Sequence, residues 1–163
     1  MTRKVLSTQE TAGMWYAQAR LTATFPASEV LAVRIGVDIV DIARMQALAA
    51  DERFVARVFT PAERALLDGL PPHRQAEVLA GRFAAKEAAA KALGTGFAGG
   101  IRPLDIETLR GPSGEPVLQL HGEARRRAKT LGLRQWHVSL SHTRDVAVAF
   151  VVLTGDTVPR TGS

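Results

Sequence analysis

The run from Gly81 to Gly96, GRFAAKEAAAKALGTG, constrains this chain more than any other segment. Alanine is the strongest helix former, and its small side chain lets a neighbouring element approach closely. The spacing predicts a long helix from about Arg74 to Leu93, with Leu79, Phe83, Ala90 and Leu93 as its apolar stripe. The glycines of Gly94-Thr95-Gly96 end it, and Gly99-Gly100 keeps the following loop permissive. Within the helix, Lys86-Glu87 and then Lys91 place a carboxylate and a lysine four residues apart on one face. That spacing taken alone reads first as a plain helix-surface ion pair. A carboxylate suits a hard metal ion and a lysine suits a phosphate. Arg82, Lys86, Glu87 and Lys91 crowd two turns, a repulsion that an anionic ligand would relieve.

Other segments organise around this helix. Val33 to Val40 alternates and is rich in β-branched residues, so it reads as a strand, with Asp38 on the same face as Gly36 and Val40. An aspartate inside an apolar strand is costly unless it is paired, bonded to backbone amides or bound to a cation. Asp41 caps a short helix through Leu48, a further helical piece spans Glu52 to Val58, and Thr60-Pro61-Ala62-Glu63 is a capping box for a helix ending by Pro71-Pro72. Strands follow at Leu104–Arg110 and Pro116–Leu120 around a Gly-Pro-Ser-Gly turn. A basic helix runs from Gly122 to Leu131, and two strands close the chain, Trp136–Ser141 and Asp145–Leu153. His142 ends the first of these, followed by Thr143.

The chain's 163 residues suffice for one domain with its own core. Residues 1–32 read as an N-terminal extension, helical around Met14 to Leu21 or disordered, residues 33–154 as the domain, and 155–163 as a loose tail. No apolar run is long enough to span a bilayer, so no membrane role is expected. The absence of cysteine excludes disulfides and thiolate metal sites and fits a reducing compartment. The net charge of +5 favours anionic partners. A nucleic-acid module is one reading of that charge, but the basic residues are dispersed, aromatics are few at 6%, and no nucleic-acid motif is present. A different Mg²⁺-dependent transferase acting on a nucleotide is another. No P-loop or Gly-x-Gly-x-x-Gly fingerprint occurs.

Gly36-Val37-Asp38-Ile39-Val40-Asp41-Ile42, then Phe83 to Gly94 about fifty residues later, then Val138-Ser139-Leu140-Ser141-His142, resemble in order and spacing the 4′-phosphopantetheinyl transferases, and more narrowly the short bacterial holo-[acyl-carrier-protein] synthases. The resemblance covers roughly Val33 to Leu153. It implies an α+β fold in which an antiparallel sheet packs against the long helix. It also implies an enzyme that moves the phosphopantetheine arm of coenzyme A onto a serine of an apo acyl carrier protein, releasing adenosine 3′,5′-bisphosphate in support of cytoplasmic fatty acid biosynthesis. By the same resemblance Asp38 and Glu87 hold Mg²⁺, and Lys91 meets the phosphates of coenzyme A. Gly94 and Thr95 form a coenzyme A-facing turn, His142 and Thr143 contact a phosphate, and Arg44 and Arg53 meet the acidic carrier. The proton acceptor stays open between Glu87, Asp38 and a metal-bound water. The short class forms homotrimers with active sites at subunit boundaries, one copy giving the Asp38 and Glu87 equivalents and its neighbour the His142 equivalent. Asp51 and Glu52 stand where this family often carries a further basic residue.

Overall fold

The computed structural model describes residues 29–159. The expected helix at Met14 to Leu21 and the end of the tail lie outside the described residues. The chain runs β1 (Glu29–Asp41), α1 (Ile42–Ala49), α2 (Glu52–Val58), α3 (Pro61–Ala65), α4 (Pro72–Ala92), β2 (Ile106–Arg110), β3 (Pro116–Leu120), α5 (Gly122–Thr130), β4 (Leu133–His142) and β5 (Val146–Pro159). This is the α+β arrangement expected. β1, β5 and β4 form an antiparallel sheet in that order, and β2 and β3 form a separate hairpin.

The long alanine helix sits where its composition requires. Ala76, Ala80, Ala84, Ala85, Ala88, Ala89, Ala90 and Ala92 are all buried, on more than one side of α4. The helix therefore packs against the sheet on one flank and against α1 and the β2–β3 hairpin on others. Gly36 of β1 makes the closest of these approaches. A Cβ added there would lie 1.9 Å from the Ala88 carbonyl oxygen, so only glycine lets the strand and helix backbones meet. Met45, Phe59, Leu93, Ile106, Val151 and Leu153 fill the remaining core, and Phe54 meets Phe59 edge-on at 6.4 Å between ring centres.

Several boundaries differ from expectation for local reasons. α3 stops at Ala65, because Leu66, Leu67 and Asp68 turn tightly, each amide donating to the carbonyl three residues back. Leu104 belongs to a 3₁₀ turn, Pro103–Asp105, in which the Asp105 carboxylate accepts from the Arg102 amide and guanidinium. β1 begins at Glu29 and β5 continues to Pro159, since Val30 to Val33 pair with Thr154 to Val158 across a register shift. Ordered strand pairing thus reaches past residues 33 and 154 on both sides.

Gly36→Ala should destabilise the protein by about 3 kcal/mol through forced separation of β1 and α4. Urea unfolding followed by circular dichroism measures this, and a midpoint equal to the parent's would contradict the close approach.

Candidate active site

Two clefts flank α4, one at each edge of the sheet. At the β1 edge, Asp38 through Asp41 and then Arg44, Met45 and Leu48 of α1 face Phe83 and Glu87 of α4 across a cleft of about 300 Å³. The contact at Gly36 and Ala88 fixes this geometry, because Asp38 lies two residues beyond the first and Glu87 one residue before the second. Asp41 spends its carboxylate on the Arg44 amide, 2.7 Å away, as the cap of α1. Asp38 and Glu87 are then the two carboxylates left to the cleft.

Their electrostatics are those of a cation site. Burial raises the Glu87 carboxyl above its ordinary value, the Asp38 charge raises it further, and Lys91 pulls it partly back. A cation between the carboxylates would relieve both penalties. Among the described residues no group of three or more His, Cys, Asp and Glu is placed to hold a metal ion. Two carboxylates suit Mg²⁺, which takes few protein ligands and completes its shell with waters and phosphate oxygens. The donor set therefore fits the expected ion. Lys91 does not pair with Glu87 along the helix. Its Nζ crosses to Asp38 Oδ1 at 2.7 Å and donates to the Val37 carbonyl at 3.2 Å.

Lys86, next to Glu87 in sequence, is fully buried on another side of the helix. Its Nζ lies 2.7 Å from Glu63 Oε2, donates to the Pro103 carbonyl at 3.0 Å and also to the Ile106 carbonyl, and sits 5.8 Å from the Phe59 ring centre. Burial lowers its pKa and the Glu63 carboxylate offsets that. The expected mutual repulsion of four charges crowding two turns is therefore corrected, since Lys86 is buried on Glu63. A helix turns each successive residue to a new direction, and Lys86 points into the core while Glu87 points into the cleft.

At the other edge of the sheet, Arg82 and Gly81 of α4, Arg110 of β2, and Leu140, Ser141 and His142 of β4 line a second cleft of about 120 Å³. Asp38 pairs with Ala149 and His142 with Ala147, so both lie on the helix-facing side of the sheet but with β5 between their strands. Arg82 is buried, at 9% exposure, and its buried Nε has no hydrogen-bond partner among the described residues. Burial lowers its pKa and neighbouring Arg110 adds to the effect, although Glu63 opposes both. An anion would satisfy this corner.

The remaining expected residues are distributed as follows. Arg44 lines the first cleft directly. Arg53 lies in the first turn of α2, its amide donating to the Asp51 cap, outside that cleft. Gly94 adopts φ 81° as α4 ends, and Thr95 donates to the Gly96 carbonyl. Thr143 closes the β4–β5 turn by accepting from the Asp145 and Val146 amides. Three arginines escaped the sequence reading as site residues. Arg82 and Arg110 meet only through long-range packing. Arg34, whose Nη1 lies 3.3 Å from where a Gly94 Cβ would stand, shares Asp38's face of β1, and the strand's alternation was the signal for it.

Known proteins share this sequence pattern and fold. The sequence profile of the 4′-phosphopantetheinyl transferase superfamily matches residues 34–151. The holo-[acyl-carrier-protein] synthase of Solidesulfovibrio magneticus is 52% identical over 123 residues, spanning 74% of this chain and 97% of that protein. The one from Geobacillus kaustophilus is 48% identical over 122 residues, 74% of this chain and 88% of its own. A crystal structure of the Bacillus anthracis holo-(acyl-carrier-protein) synthase in complex with CoA (3′,5′-ADP) superposes with a TM-score of 0.66 at 36% identity, over 78% of this chain and all of that one. The Helicobacter pylori synthase in complex with coenzyme A superposes at 0.63 with 31% identity, over 73% and 98%. Sequence and fold agree, and the chain belongs to the 4′-phosphopantetheinyl transferase superfamily, among the holo-[acyl-carrier-protein] synthases.

Proposed function

We propose that this protein transfers the 4′-phosphopantetheine arm of coenzyme A to a serine of an apo acyl carrier protein, releasing adenosine 3′,5′-bisphosphate and supplying holo carrier to fatty acid biosynthesis in the cytoplasm. The observation that carries this reading is the meeting of Asp38 and Glu87 in one cleft that Arg44 also lines. The Bacillus anthracis relative in complex with CoA (3′,5′-ADP) and the Helicobacter pylori relative in complex with coenzyme A support it.

Asp38 and Glu87 would hold Mg²⁺, which when bound offsets the charge of the pyrophosphate and of the departing phosphate. Lys91 and Arg34 flank the same stretch of β1 and bring positive charge to those oxygens. The φ of 81° at the helix end favours glycine at position 94, which carries no side chain to obstruct an approaching ligand. The carrier serine attacks phosphorus while the bond to the adenosine bisphosphate breaks. Its proton leaves to a base in this cleft, and Glu87 and Asp38 are the carboxylates there. Arg44, exposed beside them, meets an acidic carrier and sets its approach.

The second cleft takes part through assembly. Leu31, Val33, Ile35, Val37, Ile39 and Phe150 are 42–65% exposed on the sheet face opposite α4. Such a row is costly in water and favours burial against other copies of the chain. In a homotrimer closed across this face, the His142, Arg82 and Arg110 cleft of one copy would complete the Asp38 and Glu87 cleft of its neighbour and receive coenzyme A phosphate.

The direct test is intact-mass measurement of an apo acyl carrier protein incubated with this protein, coenzyme A and Mg²⁺. A gain of about 340 Da, abolished by EDTA, is expected. Asp38→Ala and Glu87→Ala should each reduce the rate at least ~1,000-fold with unchanged circular dichroism, and near-normal transfer by either folded variant would refute the assignment. Arg44→Glu should raise the KM for carrier protein by roughly tenfold and leave coenzyme A binding unchanged. A defect confined to coenzyme A would contradict the docking role.

A further inference from the structure

We propose that Lys91 is the built-in counter-ion of the first cleft, holding the Asp38 carboxylate until a divalent cation displaces its ammonium and frees it for the anionic cosubstrate. The inference rests on the reading of Asp38 and Glu87 as the cation-holding pair. It starts from the placement of Lys91 Nζ at 2.7 Å from Asp38 Oδ1, with Glu87 one turn away on Lys91's own helix left out of the pair.

An ammonium at that distance occupies the position from which a cation would bind the same oxygen. Both cannot sit there, since like charges so close repel strongly. The pair is also built to part. The Lys91 side chain is 53% exposed and that of Asp38 17%, so the bridge stands at the cleft mouth in contact with water. Bridges of that kind contribute little net stability, because the ammonium recovers its hydration when released. The contrast with Lys86 is instructive. That ammonium is sealed beneath the helix on Glu63 and two carbonyl oxygens, and leaving them would strand a buried charge. One lysine of the helix is fixed and the other can swing on a four-carbon stem.

Charge balance gives the exchange its direction. With Lys91 on Asp38, the two carboxylates and one ammonium carry a single net negative charge. A divalent cation brings that to a single positive charge, which attracts the pyrophosphate and draws the released ammonium to it. Cation and coenzyme A then strengthen each other's binding, each by the same factor. Lys91 is thus a brake on cation binding in the free enzyme and a phosphate contact in the loaded one.

The test uses the full-length protein and Mn²⁺ as the probe, with free Mn²⁺ read by electron paramagnetic resonance. Without coenzyme A, Lys91→Met should bind Mn²⁺ about tenfold more tightly than the parent. Adding coenzyme A should tighten Mn²⁺ binding markedly in the parent and only slightly in Lys91→Met. Arg44→Met removes a positive charge from the same cleft without touching Asp38, and should tighten Mn²⁺ binding less than twofold. Unchanged or weaker Mn²⁺ binding by Lys91→Met overturns the proposal, as does an equal gain in Arg44→Met, which would reduce Lys91 to a general charge. Asp38→Asn separates the two levels of the argument. Its loss of Mn²⁺ binding is expected, and parent-like binding would overturn the carboxylate assignment itself.

Discussion

The close contact of Gly36 with the backbone at Ala88 is the constraint on which the rest depends. It sets the height of α4 above the sheet, and every functional direction is measured from it. The alanines around the helix let the sheet, α1 and the hairpin all approach. A helix enclosed on several sides has few directions in which to turn its polar residues, and each of those on α4 has a distinct destination. Glu87 faces β1, Lys86 faces the core beneath α3 and β2, and Arg82 faces β4.

The buried Lys86–Glu63 pair fixes the rotation of that helix. Glu63 accepts from the Thr60 and Thr108 amides as well as from Lys86, so one carboxylate joins the cap of α3, the strand β2 and the long helix. A buried pair of this kind adds little net stability, but breaking it would leave an uncompensated charge. The cluster therefore resists any sliding or rolling of α4 that would separate Glu87 from Asp38. It is an arrangement for position more than for strength.

Much of this was legible in the sequence. The alanine run, the Asp41 cap and the Thr60–Glu63 capping box each appear in the structure at the expected residues, because all are set by neighbours within a turn of the chain. Asp38 stood out because a carboxylate inside an apolar strand needs a reason, whereas Glu87 entered as a site residue only through the family resemblance. What the sequence could not show was pairing over distance. Glu63 looked complete as a capping residue, and nothing in its neighbourhood announced Lys86. Lys91 looked committed to Glu87 by spacing, yet the strand brings Asp38 nearer. Arg82 and Arg110 become neighbours only when the hairpin folds back onto α4. The extension of β1 and β5 to Glu29 and Pro159 was missed because Thr154, Gly155 and Asp156 read as a loop, while strand pairing overrides that local preference.

The two edges of the sheet divide the polar residues by charge. One chain carries the carboxylates at one edge of its sheet and a cationic cleft at the other, with β5 and α4 between them. Two strand spacings, about 10 Å, separate the strands of Asp38 and His142 within a copy, and the proposed assembly would bring the two clefts together between copies. The most direct measurement mixes Asp38→Ala and His142→Ala chains after co-expression and follows carrier modification by intact mass. Neither variant alone has a complete site, but in a random closed assembly about a quarter of the boundaries would combine an intact Asp38 with a neighbour's intact His142. The account predicts transfer by the mixture well above the mean of the two variants, approaching about a quarter of the parent rate. Activity no greater than that mean would show that each chain works alone and would contradict the shared site.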